Sequence, residues 1–204
     1  MPLTKVTSSL INTVSASQIT ATGATAGQVL TYNGSTSTWV ASAAPSGGAI
    51  EQSSVVTLTP QTSATITGIP STAKRVTVLL NGMSTNGASV PRMRVGAGSV
   101  VASGYQGSAS NIGSSGVGSS VFSNGITFSA TTQSATNVYN GGIVFYHMGS
   151  NTWVFTGSVG LSDTGYTVLM NGSIALAGAL DRICLTTTNG TDAFDAGTMT
   201  IMWE

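Results

Sequence analysis

From residue 55 to residue 203 the chain breaks into short runs of Val, Ile, Thr and aromatic residues, each closed by Gly or Asn, and no stretch carries a convincing helical period. Strands are predicted over 55–59, 64–67, 75–80, 93–95, 121–128, 142–147, 152–159, 174–180, 183–187 and 198–203. The dipeptides Asn81-Gly82, Asn124-Gly125, Asn171-Gly172 and Asn189-Gly190 can supply the positive φ angles of tight turns between them. In the last run Met199, Ile201 and Trp203 share one face and Thr200, Met202 and Glu204 the other, a pattern suited to a strand covered on both sides or lying at an interface. About ten short strands at this spacing predict an all-β fold, a β-sandwich or jelly-roll-like domain.

Such a domain normally hides its core behind Lys and Glu, and this one cannot. Only 6% of the 204 residues are charged, against about 25% in an ordinary soluble domain. With 26 Gly, 29 Ser and 31 Thr, small and hydroxyl residues must make the surface. Nucleic-acid binding is excluded, because Lys5, Lys74, Arg75, Arg92, Arg94 and Arg182 are too few and too scattered to form a cationic stripe. A hydrophobic fraction of 41% argues against disorder, which goes with low hydrophobicity and high net charge. Membrane insertion is not expected, since the longest apolar run, Ile143-Val144-Phe145-Tyr146, falls far short of the roughly 18 residues of a spanning helix. The opening residues lack the apolar core of a secretory signal, and Cys184 has no second cysteine to pair with, so synthesis in a cytoplasm without disulfides is expected.

Composition divides the chain. Residues 1–48 carry one charge, Lys5, and end in Ala43-Ala44-Pro45-Ser46-Gly47-Gly48, a small-residue linker; residues 49–204 hold the other eleven charges and nearly all of the strand runs. Two parts are therefore expected: an extended N-terminal segment over 1–48 and a β-sandwich over 49–204. Within the first, residues 28–32 and 38–40 flank Asn33-Gly34-Ser35-Thr36-Ser37 and predict a hairpin carrying Tyr32 and Trp39, which is marginal alone. Residues 96–120, mostly Gly, Ser, Ala and Val, predict a long loop or weakly paired strands packed on the sandwich or on another subunit.

Chemistry-bearing residues are sparse. His147 is the only histidine and adjoins a turn at Met148-Gly149-Ser150; no Ser and carboxylate are singled out as its partners. No spacing selects a glycosidase pair among Glu51, Asp163, Asp181, Asp192, Asp195 and Glu204. Asn189, Asp192 and Asp195 are dense in oxygen but lack the alternation and closing Glu of a calcium loop, so turn-forming Asx roles are expected. The glycines of 113–118 open no helix and make no phosphate loop. In Lys74-Arg75 and Asp181-Arg182 adjacent residues should point to opposite faces of a strand. No catalytic residue, metal or cofactor is assigned, and the protein is expected not to be an enzyme.

A zero net charge leaves little repulsion between copies, and the N-terminal segment carries apolar positions without a core of its own, so self-association is expected. The segment Gly27-Gln28-Val29-Leu30-Thr31-Tyr32-Asn33-Gly34-Ser35 followed by Thr38-Trp39-Val40 resembles one found in fibre proteins of tailed bacteriophages. Further blocks in 67–204, among them Ala73-Lys74-Arg75-Val76-Thr77-Val78, Ser103-Gly104-Tyr105 and Asp181-Arg182-Ile183-Cys184-Leu185, resemble a C-terminal domain of phage minor tail and fibre proteins. The resemblance implies a virion structural protein assembled in the host cytoplasm: a homotrimer, joined to other virion proteins by its N-terminus, displaying a β domain toward a host polysaccharide or protein receptor. A length of 204 residues suits a short fibre or spike on the tail or capsid surface, and a capsid decoration protein that stabilises the shell is the alternative. Attachment and oligomerisation fall on Leu3, Val6, Leu10, Ile11, Val14, Tyr32 and Trp39. Receptor contact falls on Tyr105, Tyr139 and Tyr166, aromatics near Gly/Asn/Ser loops.

Overall fold

The computed structural model describes residues 25, 28–33, 35, 38–43, 49–114, 116–131 and 133–204. The chain divides into two compact units, Met1–Ala49 and Ile50–Glu204. In the first, β1 (Gln28–Asn33) pairs antiparallel with β2 (Thr38–Ala43), and Tyr32 stands opposite Trp39 in register. The hydroxyls of Thr31 and Ser42 meet across the pair. Val29, Leu30 and Val40 are exposed, so their apolar surface finds no cover within the hairpin. Leu3, Val6, Leu10, Ile11 and Val14 lie outside the described residues, as do the side chains of Tyr32 and Trp39.

The second unit is an antiparallel β-sandwich, and among its described residues every regular element is a strand. The strands are β3 (Glu51–Gln52), β4 (Val56–Thr57), β5 (Ser63–Thr67), β6 (Arg75–Thr85), β7 (Pro91–Ala97), β8 (Ser99–Val100) and β9 (Gln106–Gly113). There follow β10 (Gly116–Phe122), β11 (Ile126–Thr127), β12 (Tyr139–Gly149), β13 (Thr152–Leu161), β14 (Tyr166–Ala175), β15 (Arg182–Thr187) and β16 (Phe194–Trp203). The larger sheet runs β10-β9-β14-β13-β12-β6-β16-β3, with β4 also on β16; the smaller runs β11-β7-β15-β5, with β8 on β7. Alternation decides what is buried: Val76, Val78 and Leu80 of β6, Trp153, Phe155 and Val159 of β13, and Ile183 and Leu185 of β15 all enter one core.

One transverse row shows how the large sheet packs. Phe122, Gly107, Gly172, Phe155, Phe145, Val76 and Trp203 are successive register partners across seven strands. The two glycines sit side by side, and the Phe122 and Phe155 rings lie over them, stacked with centroids 6.1 Å apart. A Cβ on Gly107 would fall 2.4 Å from the Phe122 ring, and one on Gly172 would fall 2.6 Å from the Phe155 ring. Glycine is needed here for room, so that two aromatic rings can share space that four side chains could not.

The structure redraws three sequence expectations. Of the two readings of 96–120 the strands hold, but they are not weakly paired: β9 and β10 form a hairpin that runs on to Phe122, and β9 pairs along its length with β14, because Ala109 and Asn111 alternate inward and a small inner face suffices at the sandwich edge. The strand expected over 174–180 instead occupies Tyr166–Ala175, with Asn171-Gly172 inside it; that dipeptide is a turn former only where the chain needs positive φ, and here the glycine makes room for a ring. The run expected over 121–128 splits at Asn124-Gly125, where φ of +137° at Gly125 carries the chain from β10 in one sheet to β11 in the other.

Two tyrosines expected at the receptor surface are core residues instead. Tyr105 is 2% exposed; its hydroxyl accepts the Val95 N–H at 2.8 Å and donates to the Val101 carbonyl at 3.1 Å. Tyr139 is 1% exposed, meets Phe128 edge-on, and donates its hydroxyl to Gln133 Oε1 at 2.8 Å. Large rings with one polar tip are stable inside when that tip has partners, so nearby loops were no guide to exposure. Burial holds both phenols protonated, pushing Tyr105 from 10.0 up to about 12 and Tyr139 upward as well. An unfolded tyrosine ionises near 10 while these do not, so the folded state binds more protons there, and its stability is intact below pH 10 and falls as pH rises through the folded values. Denaturant midpoints should therefore drop steadily above pH 10, and a flat profile would refute the assignment. Tyr105→Phe should itself cost about 1–2 kcal/mol through the lost partner of Val95 N–H.

Candidate functional site

Among the described residues the groups with catalytic potential do not converge. His147 is half-buried with its ring 5.0 Å from that of Trp153, and its Nδ1 lies 3.4 Å from Lys74 Nζ. Asn189 Oδ1 accepts the N–H of Thr191 and of Asp192, while its Nδ2 donates to Asp192 Oδ1 at 2.7 Å. Asp192 Oδ2 also takes the Ser89 N–H at 2.9 Å. These bonds, Asn189 first and Ser89 second, hold the Asp192 carboxyl below its usual range. Asp195 accepts the Ser84 hydroxyl, so both carboxylates fasten strand ends. Among the described residues no group of three or more His, Cys, Asp or Glu side chains is placed to hold a metal ion.

The Asp181-Arg182 pair corrects an expectation. The two side chains do not diverge; Arg182 Nε and Nη2 donate to the two Asp181 oxygens at 2.8 and 3.0 Å. Asp181 precedes the first residue of β15, so strand alternation does not govern it. That fork, with the Gly98 N–H at 3.0 Å, holds the Asp181 carboxyl below its ordinary range. Arg75 pairs with Glu204 at 2.9 Å across the β6–β16 margin.

Tyr166 is half-buried and borders a cavity of about 460 Å³ with Asn111, Gln133, Asn137 and Thr164. Its ring lies against Gly113, where a Cβ would meet it at 2.3 Å. Most polar groups here already bond each other: Asn111 Nδ2 donates to Ser129 Oγ at 2.8 Å, its Oδ1 accepts the Ala130 N–H, and Asn137 Nδ2 donates to Gln133 Oε1. The three tyrosines proposed as a receptor set are thus not a surface cluster.

The largest unexplained feature is the outer face of the large sheet. Its inward positions fill the core, yet its outward positions are apolar too: Leu79, Ile112, Val117, Val121, Tyr146, Val154 and Leu169 are all exposed, Val117 by 75% and Val121 by 87%. Register places them in rows. Val117, Ile112 and Thr167 form one, Leu169 stands between Ser110 and Ser158, and Val154 stands between Tyr146 and Ser173. The remaining outward positions are mostly Ser, Thr, Asn, Gln, Gly and Val, with Met202 beside Thr77, and the charges on the strands of this sheet sit at its ends: the Arg75–Glu204 pair at one corner and Asp195, held by Ser84, at the start of β16. The sheet also ends on β10, a seven-residue edge strand without charge or proline, whereas the other end is closed by two-residue β3 and β4. A bare neutral edge of this kind is what isolated proteins avoid.

The signal for this face was present in the sequence. Strands of this sheet carry large apolar residues on both parities, as in Trp153-Val154-Phe155, and a two-sided apolar strand predicts cover on both faces. Comparison with protein-family models, with curated proteins and with solved structures finds no match for this chain.

Proposed function

We propose that this protein is a non-enzymatic structural component of a bacteriophage virion: a short homotrimeric fibre or spike on the tail or capsid surface. Its N-terminal segment joins other virion proteins, and its β domain is displayed toward a host polysaccharide or protein. The observation that carries this reading is the neutral, apolar outer face of the large sheet. Seven full-length strands at ~4.8 Å spacing give a face roughly 30 Å wide and roughly 25 Å long, about 750 Å². Stable interfaces bury about 800 Å² per partner, so the face has the size of one interface. Its chemistry fits a second copy of itself, since hydroxyl and aliphatic groups without charge meet their like with little desolvation cost.

Three copies with these sheets turned inward form a three-sided prism, with Leu169 and Val154 of the central strands near its axis, Val117 and Val121 of the edge strand toward its corners, and the small sheets outside. The number three rests on the likeness to trimeric fibres. The low charge and the exposed apolar residues of the β1–β2 hairpin fit a building element that is complete only when assembled.

Sedimentation equilibrium of the full chain should give the mass of three subunits. A folded single subunit at micromolar concentration would overturn the reading. Removing residues 1–48 should leave a folded, self-associating sandwich that no longer enters particles. Negative-stain images of particles carrying the full chain would place it on tail or head, and normal incorporation of the shortened chain would refute the attachment role.

A further inference from the structure

We propose that Arg92 and Arg94 form a binding site for an oxyanion, a phosphate or carboxylate group, on the side of the sandwich opposite the proposed self-association face. The inference goes beyond the assembly reading and stands on different residues. In β7, Pro91, Met93 and Val95 are buried, so Arg92 and Arg94 project together from the outer face of the small sheet. Two residues along a strand separate them by roughly 7 Å.

Among the described residues no acid answers them. Across the sheet Arg92 stands between Thr186 and Thr127, and Arg94 stands beside Cys184. The two ion pairs among the described residues use Arg75 and Arg182. Arg92 Nε is buried without a hydrogen-bond partner. Burial, and then the like charge of Arg94, pull the Arg92 guanidinium below its ordinary pKa, which is the mark of a cation held where it lacks a counter-charge.

The pair is also held in place. Arg94 Nε donates to the Asn124 carbonyl at 2.9 Å. The backbone of Gly125 lies on both stems, and a Cβ there would come within 2.7 Å of Arg92 Cδ and 3.1 Å of Arg94 Cγ. This turn thus braces the stems of both arginines. Arg92 lines a cleft of about 840 Å³ together with Ser123, Asn124, Thr127 and Thr188, which add neutral donors beside it, while Arg94 stands outside the cleft and adds its charge from the next outward position of the strand. A planar fork with hydroxyls beside it matches the oxygens of a phosphate or carboxylate.

The test passes the full-length protein over immobilised polyphosphate, polygalacturonate and neutral dextran at low salt. Retention on one or both anionic polymers and none on dextran is expected, and the stronger of the two identifies the group. Arg92→Gln should weaken binding about tenfold or more, and Arg92→Lys, which keeps charge but loses the fork, should fall between. Lys74→Gln removes the same charge elsewhere and should bind as the parent does. Equal loss in Arg92→Gln and Lys74→Gln would mean general charge attraction and would overturn the proposal, as would no retention or equal retention on dextran. Subunit number does not enter these readouts, so the site can fail while the assembly reading stands, and the reverse.

Discussion

Leu169→Asp should convert the assembled protein into folded single subunits at micromolar concentration. Leu169 lies at the middle of the large sheet's outer face, between Ser110 and Ser158, and is 39% exposed in the isolated subunit. Within one subunit the substitution stays at the surface and should change stability by less than about 1 kcal/mol. In the proposed prism it brings three carboxylates together near the axis with no cation to receive them. Burying an unpaired charge costs several kcal/mol, and about 3 kcal/mol already weakens association more than a hundredfold. Sedimentation equilibrium reads the mass, and circular dichroism reports whether the fold is kept. Thr65→Asp, on an outward position of β5 in the small sheet, adds the same charge on the other side and should leave the assembly whole. If Leu169→Asp sediments as the parent does, this face is not the interface.

The all-β character was legible because it rests on local features: apolar alternation, β-branched residues and glycine punctuation. Where prediction slipped, a residue's role depended on what lay across the sheet. Asn171-Gly172 looks like a turn along the chain and becomes mid-strand only because Phe155 and Phe122 need the space above it. Tyr105 sits in a Gly/Ser-rich stretch that reads as exposed, yet its hydroxyl finds backbone partners in β7 and beyond β8. Polar-looking β9 and β10 form because an edge hairpin with Ala109 and Asn111 inward needs only a thin inner face. The candidate interface was half legible, since apolar residues on both parities of β13 and β14 are visible in the sequence. That they align into one surface required the register. Arg92 and Arg94 show the same limit: their i, i+2 spacing is plain, but their want of carboxylate partners is a fact of the fold.

The row of glycines under the stacked rings should be the most sensitive point of the sandwich. Gly172→Ala is ordinarily favourable in a strand, because alanine loses less backbone entropy on folding than glycine, by about 0.5–1 kcal/mol. Here the new Cβ would meet Gln106 O at 2.5 Å, Phe155 Cζ at 2.6 Å and Gly107 Cα at 2.8 Å. Two of those contacts are backbone, so the β9–β14 spacing must widen while the Phe155 ring also moves. Ordinary overpacking costs about 1–3 kcal/mol, and with backbone strain added, about 3 kcal/mol or more is expected. For a domain of this size that lowers Tm by roughly 10 °C. Gly160→Ala is the matched comparison, since its Cβ would approach only Asn140 O at 4.0 Å, and it should shift stability by about 0.5 kcal/mol or less. Adding Phe155→Leu to Gly172→Ala separates the two causes. Relief of the ring contact alone should restore only part of the loss, because the Gln106 carbonyl is still in the way. A Gly172→Ala protein as stable as the parent would mean that the inner row is looser than its register and ring stacking require.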